Sequence, residues 1–290
     1  MDEAKKAAID AAERLQKTGA KYWSQAKYTK SIVAVIDVMG TKELFLNDPN
    51  DFDSHKTIYK TWDDIEKRQK LIEYREYLVE LYGDFGVKST FISDSVVLSI
   101  DITVPNAFSK LMMILGLFSH SLLSLNSPYF TRGAIVVGNI YHEDNFIFGP
   151  ALIKAHLMES NKAVNFRCIT DDADYGEISA LEGDTSKLFL DAFFYLDDDA
   201  YYCFDYLHRF VGYADNRVRV GDDPKVYLNL LSNIQRKIRN EKANHKRDGV
   251  RDKYLWMEKY FQRTLSRVIS NSDDDEYIWL KDAYKNRKRK

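Results

Sequence analysis

Over residues 1–160, the order of apolar and polar positions predicts strands and helices in a βα-ββ-α-ββ-α sequence. A short β-branched run at residues 31–37 predicts a buried central strand. Two apolar runs, at residues 87–92 and 95–100, are separated by only Ser93 and Asp94, which is the spacing of a hairpin. A second strand pair is predicted at residues 129–140 and 145–148. Helical spacing predicts a leading helix at residues 3–25 and a long helix at 52–82. Length and apolar content predict a helix at 107–125, and Gly149 and Pro150 begin one that runs to about residue 161.

The second half of the chain continues with shorter strands and then becomes helical. The predicted strands are residues 166–170, 193–196 and 201–206. We interpret the acidic segment 197–199 as a hairpin turn rather than a calcium site, because no following Gly and Glu complete an EF-hand loop. From Pro224 onward the pattern is helical, with a break near Asp248 and Gly249.

This order of elements predicts an α+β fold of the ferredoxin-like palm type, with helices on one face of the sheet. Residues 1–28 are expected to form an N-terminal helix that packs on the core or on a second subunit. Residues 29–215 are expected to form the palm with added strands, and residues 216–290 a C-terminal helical extension.

Composition and charge narrow the possible classes of function. The chain has 290 residues, of which 45% are hydrophobic, so it can bury a full core. Its 42 Lys and Arg residues nearly balance 44 Asp and Glu residues, so no global field favours nucleic acid or an anionic membrane. We interpret the basic run at residues 285–290 as a solvated terminus. We therefore expect no stable nucleic-acid partner and no membrane partner.

The cysteines and the apolar runs indicate a compartment. Cys168 and Cys203 are too few for a disulfide framework, and neither has the spacing of a zinc site. No apolar run is long enough for a signal peptide or a membrane helix. A cytoplasmic protein is therefore expected.

Two carboxylates occupy positions that favour metal binding. Asp37 ends the buried strand, where an uncompensated charge costs several kcal/mol. Asp94 lies at the hairpin tip, which a palm-like sheet places beside the end of that strand. The two groups would repel each other unless a divalent cation lies between them, as in phosphoryl chemistry on a nucleoside triphosphate. Taken singly, Asp37 also fits a helix N-cap or a buried salt bridge, and Asp94 also fits a simple turn aspartate.

The sequence around these residues resembles the class III nucleotide cyclase domain, which is the adenylate and guanylate cyclase family. Four segments carry the resemblance, in order: VIDVMGT at 35–41, TFISD at 90–94, RGAIVVG at 132–138 and GPALIKAHLME at 149–159. They are similar to the family signatures F-x-D-I-x-G-F-T, K-x-x-G-D, R-I-G-I-H-T-G and G-D-x-V-N-L-A-x-R-L-E.

The resemblance implies a site and an assembly. Asp37 and Asp94 would each bridge two Mg²⁺ or Mn²⁺ ions, and the carbonyl of Val38 would complete one coordination shell. Backbone amides from Val38 through Met39, Gly40 and Thr41 would bind the β and γ phosphates. Head-to-tail homodimerisation is also implied, with a site at each subunit boundary.

Departures from the family motifs point away from purine substrates. Thr90 and Phe146 stand where purine-specific members have a base-reading lysine and aspartate. They would face the base, and Phe146 would narrow its pocket. This combination is similar to the pyrimidine cyclases of bacterial Pycsar antiphage defence, as are segments 196–207 and 250–260. The expected products are cyclic UMP or cyclic CMP, read by a separate effector protein; UTP is the first choice, and CTP stays open.

A second departure leaves the transition state without the family's usual donors. The family's asparagine and arginine of the fourth motif fall on Ile153 and Leu157. Arg132 is our catalytic candidate in their place, and Lys154 and His156 are further candidates. Two other functions stay open, which are a catalytically degenerate nucleotide-binding module and a palm-type nucleotide polymerase or synthase.

Overall fold

A computed structural model describes most of the chain. The described residues are 26–41, 50, 52–53, 56–57, 59–61, 63, 86–143, 146–181, 190, 192–245, 248–271 and 277–287. The N-terminal helix predicted at residues 3–25 lies outside these ranges, as does most of the helix predicted at 52–82. The described residues between 52 and 63 are helical, apart from the gaps.

The elements of the described chain follow the predicted order. The strands are β1 (Thr29–Val38), β2 (Lys88–Ile92), β3 (Ser95–Asp101), β4 (Thr131–Glu143), β5 (Phe146–Phe148), β6 (Cys168–Thr170), β7 (Phe194–Leu196) and β8 (Tyr202–Phe204). The helices are α1 (Ala107–Leu123), α2 (Pro150–Lys162), α3 (Asp172–Leu181), α4 (Tyr206–Arg219), α5 (Pro224–Asn244), α6 (Asp248–Asn271) and α7 (Ile278–Arg287).

One mixed sheet organises these elements, in the order β2-β3-β1-β4-β6-β8-β7, with β5 paired to β4. Its first four strands are antiparallel neighbours. With helical residues between β1 and β2, and α1 between β3 and β4, they form the ferredoxin-like arrangement. β6 adds to β4 in parallel, and β8 and β7 continue the sheet in antiparallel pairs. The predicted α+β palm is therefore confirmed.

The expectation that helices cover only one face of the sheet is wrong. Ile32, Ala34 and Ile36 of β1 pack in a core that contains α1, whereas Val33 and Val35 pack in a second core with α2. A strand that is apolar on both sides needs cover on both faces, because successive side chains point to opposite sides. Asp37 continues the alternation of Val33 and Val35, so it lies on the face that α2 covers.

The C-terminal helices pack around α4 on the α1 side of the sheet. Asp205, the N-cap of α4, accepts hydrogen bonds from the Tyr260 hydroxyl at 2.8 Å and from Arg267 at 2.7 Å. Asp215 of α4 accepts a hydrogen bond from the Trp279 indole at 3.1 Å. These contacts fasten α6 and α7 to α4, so the extension is joined to the palm through buried carboxylates.

Two helices of the described chain, α3 and α4, are not among the predicted elements. In α3 the buried positions are Asp174 and Ile178, too few apolar residues for a helical period. The period is present in α4, where Leu207, Phe210 and Val211 are buried. The predicted strand at 201–206 overlaps the first residue of α4, and the domain boundary predicted after residue 215 cuts the helix in two. The helical pattern is therefore not recognised as one element. That boundary falls within α4, and the division of the chain into 1–28, 29–215 and 216–290 stays a prediction.

The acidic segment 197–199 joins β7 to β8 as a hairpin turn, as predicted. Asp197 and Asp199 accept hydrogen bonds from Arg167 at 2.6 and 2.8 Å, and Arg167 is 4% exposed. The turn therefore neutralises a buried guanidinium beside β6.

Within the described ranges, we find no helix with the length and apolar content that crossing a membrane requires.

Candidate active site

The two predicted carboxylates meet where β1 ends. Asp37 pairs with Ser95 across the β1–β3 ladder, directly after Asp94 in the hairpin turn. The Val38 amide donates a hydrogen bond to the Asp94 carbonyl at 3.1 Å, which ties the hairpin tip to the strand. The Thr41 hydroxyl oxygen lies 2.6 Å from Asp94 Oδ2 and 2.8 Å from the Val38 carbonyl oxygen. Backbone pairing and one hydroxyl thus fix the position of Asp94.

Asp37 has an unusual electrostatic environment. Burial raises the pKa of its carboxyl group to about 6, against the opposing effect of the Arg132 guanidinium, and the charge of Asp94 adds to the rise. The Nε of Arg132 donates a hydrogen bond to Asp37 Oδ2 at 3.1 Å. A second positive charge at this position would favour the ionised form further, because opposite charges lower a carboxyl pKa.

Arg132 lies between two carboxylates rather than one. Its Nε is 2.7 Å from Glu159 Oε1, a buried residue of α2. Glu159 Oε1 is nevertheless outside hydrogen-bonding geometry and has no hydrogen-bond partner among the described residues. Arg132 therefore links the sheet to α2, and the structure records no hydrogen bond from its two terminal nitrogens to a described residue.

The C-terminal extension contributes a charge to the same region. Burial lowers the pKa of Lys253 on α6, and the charge of Arg132 lowers it further, whereas Asp37 and Glu159 raise it. The next residue, Tyr254, packs its ring 4.9 Å from the ring of Phe166. This contact holds α6 against the end of the sheet at which Asp37 lies.

The turn after β1 is already partly occupied by backbone hydrogen bonds. The Val38 amide is bonded to Asp94, and the Met39 amide donates to the Phe130 carbonyl at 2.9 Å. These two amides are therefore not free for the phosphate binding that the resemblance implies. For Gly40 and Thr41 the structure records no such bond to a described residue. Gly40 has a φ of 92°, which favours glycine, so a side chain there would strain the turn.

Thr90 lies on the Asp37 face of the sheet and is bonded within the protein. It is opposite Val97 in the β2–β3 ladder, and its hydroxyl oxygen is 2.8 Å from His142 Nε2. Phe146, the first residue of β5, pairs with Glu143 next to His142 and is 50% exposed. Thr90 and Phe146 therefore both lie near the β4–β5 hairpin. They lie on opposite faces of the strands, because His142 and Glu143 are successive residues of β4.

The fourth-motif helix presents apolar residues to solvent. Ile153 and Leu157 are 61% and 54% exposed on α2, one turn apart. Lys154 is engaged with Asp174 of α3 at 2.6 Å, so it is not a member of the Asp37 cluster. His156 is exposed, with Nδ1 3.8 Å from Glu159 Oε2. Of the three transition-state candidates, Arg132 is the one that contacts Asp37.

Asp37 and Asp94 offer the kind of oxygen ligand that a divalent cation binds. Arg132 and Thr41 each approach the Oδ2 atom of one carboxylate, and the structure records no hydrogen bond from a described residue to either Oδ1. Carboxylate and carbonyl oxygens are the ligands that Mg²⁺ and Mn²⁺ prefer. Within the described ranges, no group of three or more His, Cys, Asp or Glu side chains is placed to hold a metal. The available protein ligands are thus these two carboxylates with the Val38 carbonyl.

Three site residues are missed by reasoning from the sequence. Glu159 closes the segment 149–159, but nothing in that pattern indicates that it contacts Arg132. His142 follows the apolar residues of β4, and a polar residue at a buried strand position was an available signal. No local sequence feature marks Lys253 as a site residue, because its position depends on how α6 packs against the sheet.

Comparison with known proteins gives distant structural similarities. The chain matches no protein-family model and no curated protein sequence. The catalytic core of a rhodopsin-guanylyl cyclase with converted specificity, in complex with ATPαS, is 18% identical, with a TM-score of 0.40 over 53% of this chain and 83% of that one. A bacterial light-regulated adenylyl cyclase is 11% identical, with a TM-score of 0.38 over 53% of this chain and 81% of that one. Neither similarity assigns this chain to a family.

Proposed function

We propose that this chain is a nucleotide cyclase that converts UTP, or CTP, to a 3',5'-cyclic monophosphate and pyrophosphate. The observation that carries the proposal is the convergence of Asp37 and Asp94 at the end of β1, with Arg132 in contact with Asp37. The choice of reaction comes from the resemblance to the cyclases, since both carboxylates belong to the segments that resemble that family.

The reaction is an intramolecular displacement. The ribose 3'-hydroxyl attacks the α-phosphorus, a bond forms between that oxygen and phosphorus, and the bond to the β-phosphate oxygen breaks. Pyrophosphate leaves, and the hydroxyl proton passes to solvent. The negative charge that develops on phosphorus and on the leaving group is what the site has to stabilise.

Each residue of the candidate site has a proposed part in this reaction. Asp37, Asp94 and the Val38 carbonyl would hold two divalent cations, Mg²⁺ or Mn²⁺. When bound there, such ions supply the positive charge that activates the attacking hydroxyl and neutralises the triphosphate. The terminal nitrogens of Arg132 would donate to the α-phosphate oxygens, while Glu159 holds the guanidinium in place. The amides of Gly40 and Thr41 would bind the outer phosphates.

The pyrimidine preference rests on Thr90 and Phe146. A hydroxyl and an aromatic ring replace the charged pair that reads a purine edge in the family, and they cannot supply the same hydrogen bonds to a purine. By the resemblance to the Pycsar cyclases, the product would be a cytoplasmic second messenger of antiphage defence that a separate effector reads. A head-to-tail homodimer belongs to the same proposal, and the exposed Ile153 and Leu157 support it.

A four-nucleotide assay tests the reaction. Purified chain is incubated with ATP, GTP, CTP and UTP together in the presence of Mn²⁺, and the products are identified by mass. We expect a cyclic pyrimidine monophosphate and pyrophosphate. Linear or dinucleotide products would instead establish a polymerase or synthase, and nucleotide binding without any product would establish a degenerate cyclase.

The metal assignment is tested by Asp94→Asn, which keeps the shape of the side chain and removes its charge. We expect activity to fall by at least about 100-fold, because a charge that acts on the transition state is lost. The control is Asp198→Asn, an exposed aspartate in the β7–β8 turn, and its activity should match the wild type. Far-UV circular dichroism checks that both variants fold. Unchanged product formation by Asp94→Asn would refute the assignment.

A further inference from the structure

Three polar side chains form a chain of hydrogen bonds on the Asp37 face of the sheet. The ring of His142 lies between two hydroxyl groups, with Nδ1 2.7 Å from Ser99 Oγ and Nε2 2.8 Å from Thr90 Oγ1. Ser99 pairs with Val33 on β1, and Thr90 pairs with Val97, so both belong to the face that Asp37 shares. The imidazole therefore connects a buried strand position to the residue proposed to face the base.

His142 has a defined charge state in this position. It is 5% exposed, and burial lowers the pKa of its ring to about 4, with a further lowering by Lys88 and a smaller opposing effect of Glu143. The imidazole is thus neutral at physiological pH. One ring nitrogen carries a hydrogen and donates, and the other can only accept.

Ser99 decides which nitrogen carries the hydrogen. Its side chain is buried, and within the described part of the chain its hydroxyl has no recorded hydrogen-bond partner except His142 Nδ1. A buried O–H without an acceptor is less tolerated than an oxygen with a spare lone pair. Ser99 therefore donates to Nδ1, which leaves the hydrogen of the ring on Nε2.

The direction of the second hydrogen bond follows from the first. Nε2–H donates to Thr90 Oγ1, so the Thr90 oxygen is an acceptor within the protein. No described residue is recorded as accepting the hydrogen of the Thr90 hydroxyl itself. Thr90 is only partly buried, so this hydrogen is available to a ligand on the same face.

We propose that His142 is a positioning residue that fixes Thr90 as a hydrogen-bond donor to the base of the substrate, and thereby selects uracil over cytosine. This inference rests on the proposed cyclase function. Position 4 of uracil is an oxygen that accepts, whereas position 4 of cytosine is an amino group that donates. The oxygen at position 2 is common to both bases, so the selection requires Thr90 to face position 4. A fixed donor facing an amino group leaves both donors unpaired, which is strongly disfavoured.

The tautomer of His142 can be measured without any enzyme activity. In full-length protein labelled with ¹⁵N-histidine, long-range ¹H–¹⁵N spectra distinguish protonated from unprotonated ring nitrogens. The chain has six histidines, and the signal that disappears in His142→Gln identifies the one of interest. We expect Nε2 protonated and Nδ1 unprotonated at pH 7, with the two forms mixed in Ser99→Ala. A ring protonated on Nδ1, or on both nitrogens, would overturn the inference.

Kinetics then test selectivity. We expect wild-type kcat/KM for UTP to exceed that for CTP by about 10- to 100-fold. This ratio corresponds to the cost of leaving one buried hydrogen-bonding group without a partner. Thr90→Val should bring this ratio near one, mainly by raising KM for UTP, and Thr90→Ser should restore it. Ser89→Ala, on the same strand but the opposite face, is the control and should keep the wild-type ratio.

The two tests fail separately. Turnover of UTP and CTP with equal efficiency, or a ratio that Thr90→Val leaves unchanged, would overturn the selection by Thr90 while the cyclase function stands. Absence of any cyclic product from the wild type would refute the proposed function. In that case the ¹⁵N spectra still decide whether His142 holds Thr90 as a donor.

Discussion

At the scale of single residues, His142 makes the stability of the fold depend on pH. The unfolded chain takes up a proton near the ordinary histidine pKa of about 6.5, but burial keeps the folded ring neutral down to about pH 4. Between these values the unfolded state binds more protons, so stability falls as the pH is lowered.

We expect the free energy of unfolding to lose roughly 1.5 kcal/mol from this group between pH 6.5 and pH 5, because the slope approaches about 1.4 kcal/mol per pH unit only below the unfolded pKa. Urea unfolding at several pH values measures it, and His142→Gln should lack this part of the slope. His156→Gln, at an exposed position on α2, is the matched control and should keep the wild-type slope. Equal slopes for the wild type and His142→Gln would contradict the buried neutral ring.

The residues that sequence alone could predict are those with a local signature. Asp37 and Asp94 belong to this group, because a strand end and a hairpin tip meet in a palm-like sheet and each has its own local pattern. Their neighbours Glu159, His142 and Lys253 do not, because each approaches from an element far away in the sequence. Such contacts depend on helix placement and strand order, which no local pattern of polar and apolar residues contains.

At the scale of elements, the approach of β4 to β1 next to Asp37 depends on Gly133. A Cβ at this position would lie 2.4 Å from the Val35 carbonyl oxygen and 2.6 Å from the Ile36 side chain. Gly133 is opposite Ile36 in the ladder, one residue from the Asp37–Arg132 pair. The close packing of these two strands therefore sets the distance between Asp37 and Arg132.

Gly133→Ala should destabilise the protein by about 1–3 kcal/mol, because the added methyl group forces the strands apart. Gly176→Ala on α3 is the comparison, since a Cβ there would contact nothing within 4 Å. That variant should gain about 0.5–1 kcal/mol from helix propensity. Denaturant unfolding of both variants gives the sign of each effect, and a neutral Gly133→Ala would show that the strands can separate without cost.

Element types were mostly predictable, and their packing was not. Strand periodicity located β1 and the β2–β3 hairpin within a few residues, because buried strands and two-residue turns have strong local patterns. The same pattern could not say that α2 crosses to the face opposite α1. That choice is made by the β4–β5 hairpin, which turns the chain before Pro150, and hairpin direction depends on the whole sheet.

At the scale of the whole molecule, the C-terminal helices are part of the site's environment. Asp205 and Asp215 hold α6 and α7 to α4, and Tyr254 seats α6 against the palm. Lys253 thereby adds a positive charge that interacts with Asp37 and Glu159. The extension is consequently coupled to the electrostatics of the carboxylate pair through Lys253.

The outer face of α2 is the surface at which we expect two copies of the chain to meet. This face carries Ile153 and Leu157, which the resemblance to the cyclases aligns with that family's transition-state donors. In a head-to-tail homodimer these side chains would be covered by the second subunit, and the apolar area removed from water would stabilise the pair. A site at each subunit boundary would then require the dimer for activity.

The double variant Ile153→Glu, Leu157→Glu should therefore be monomeric and should lose most of its turnover of UTP. Gel filtration with light scattering over a range of protein concentrations measures the first effect, and product mass measures the second. Val226→Glu on α5 is the control, because Val226 is 52% exposed and lies on a different surface. It should stay dimeric and active. A wild-type protein that is strictly monomeric and still forms cyclic product would refute the shared site, because one chain would then hold every group that the reaction needs.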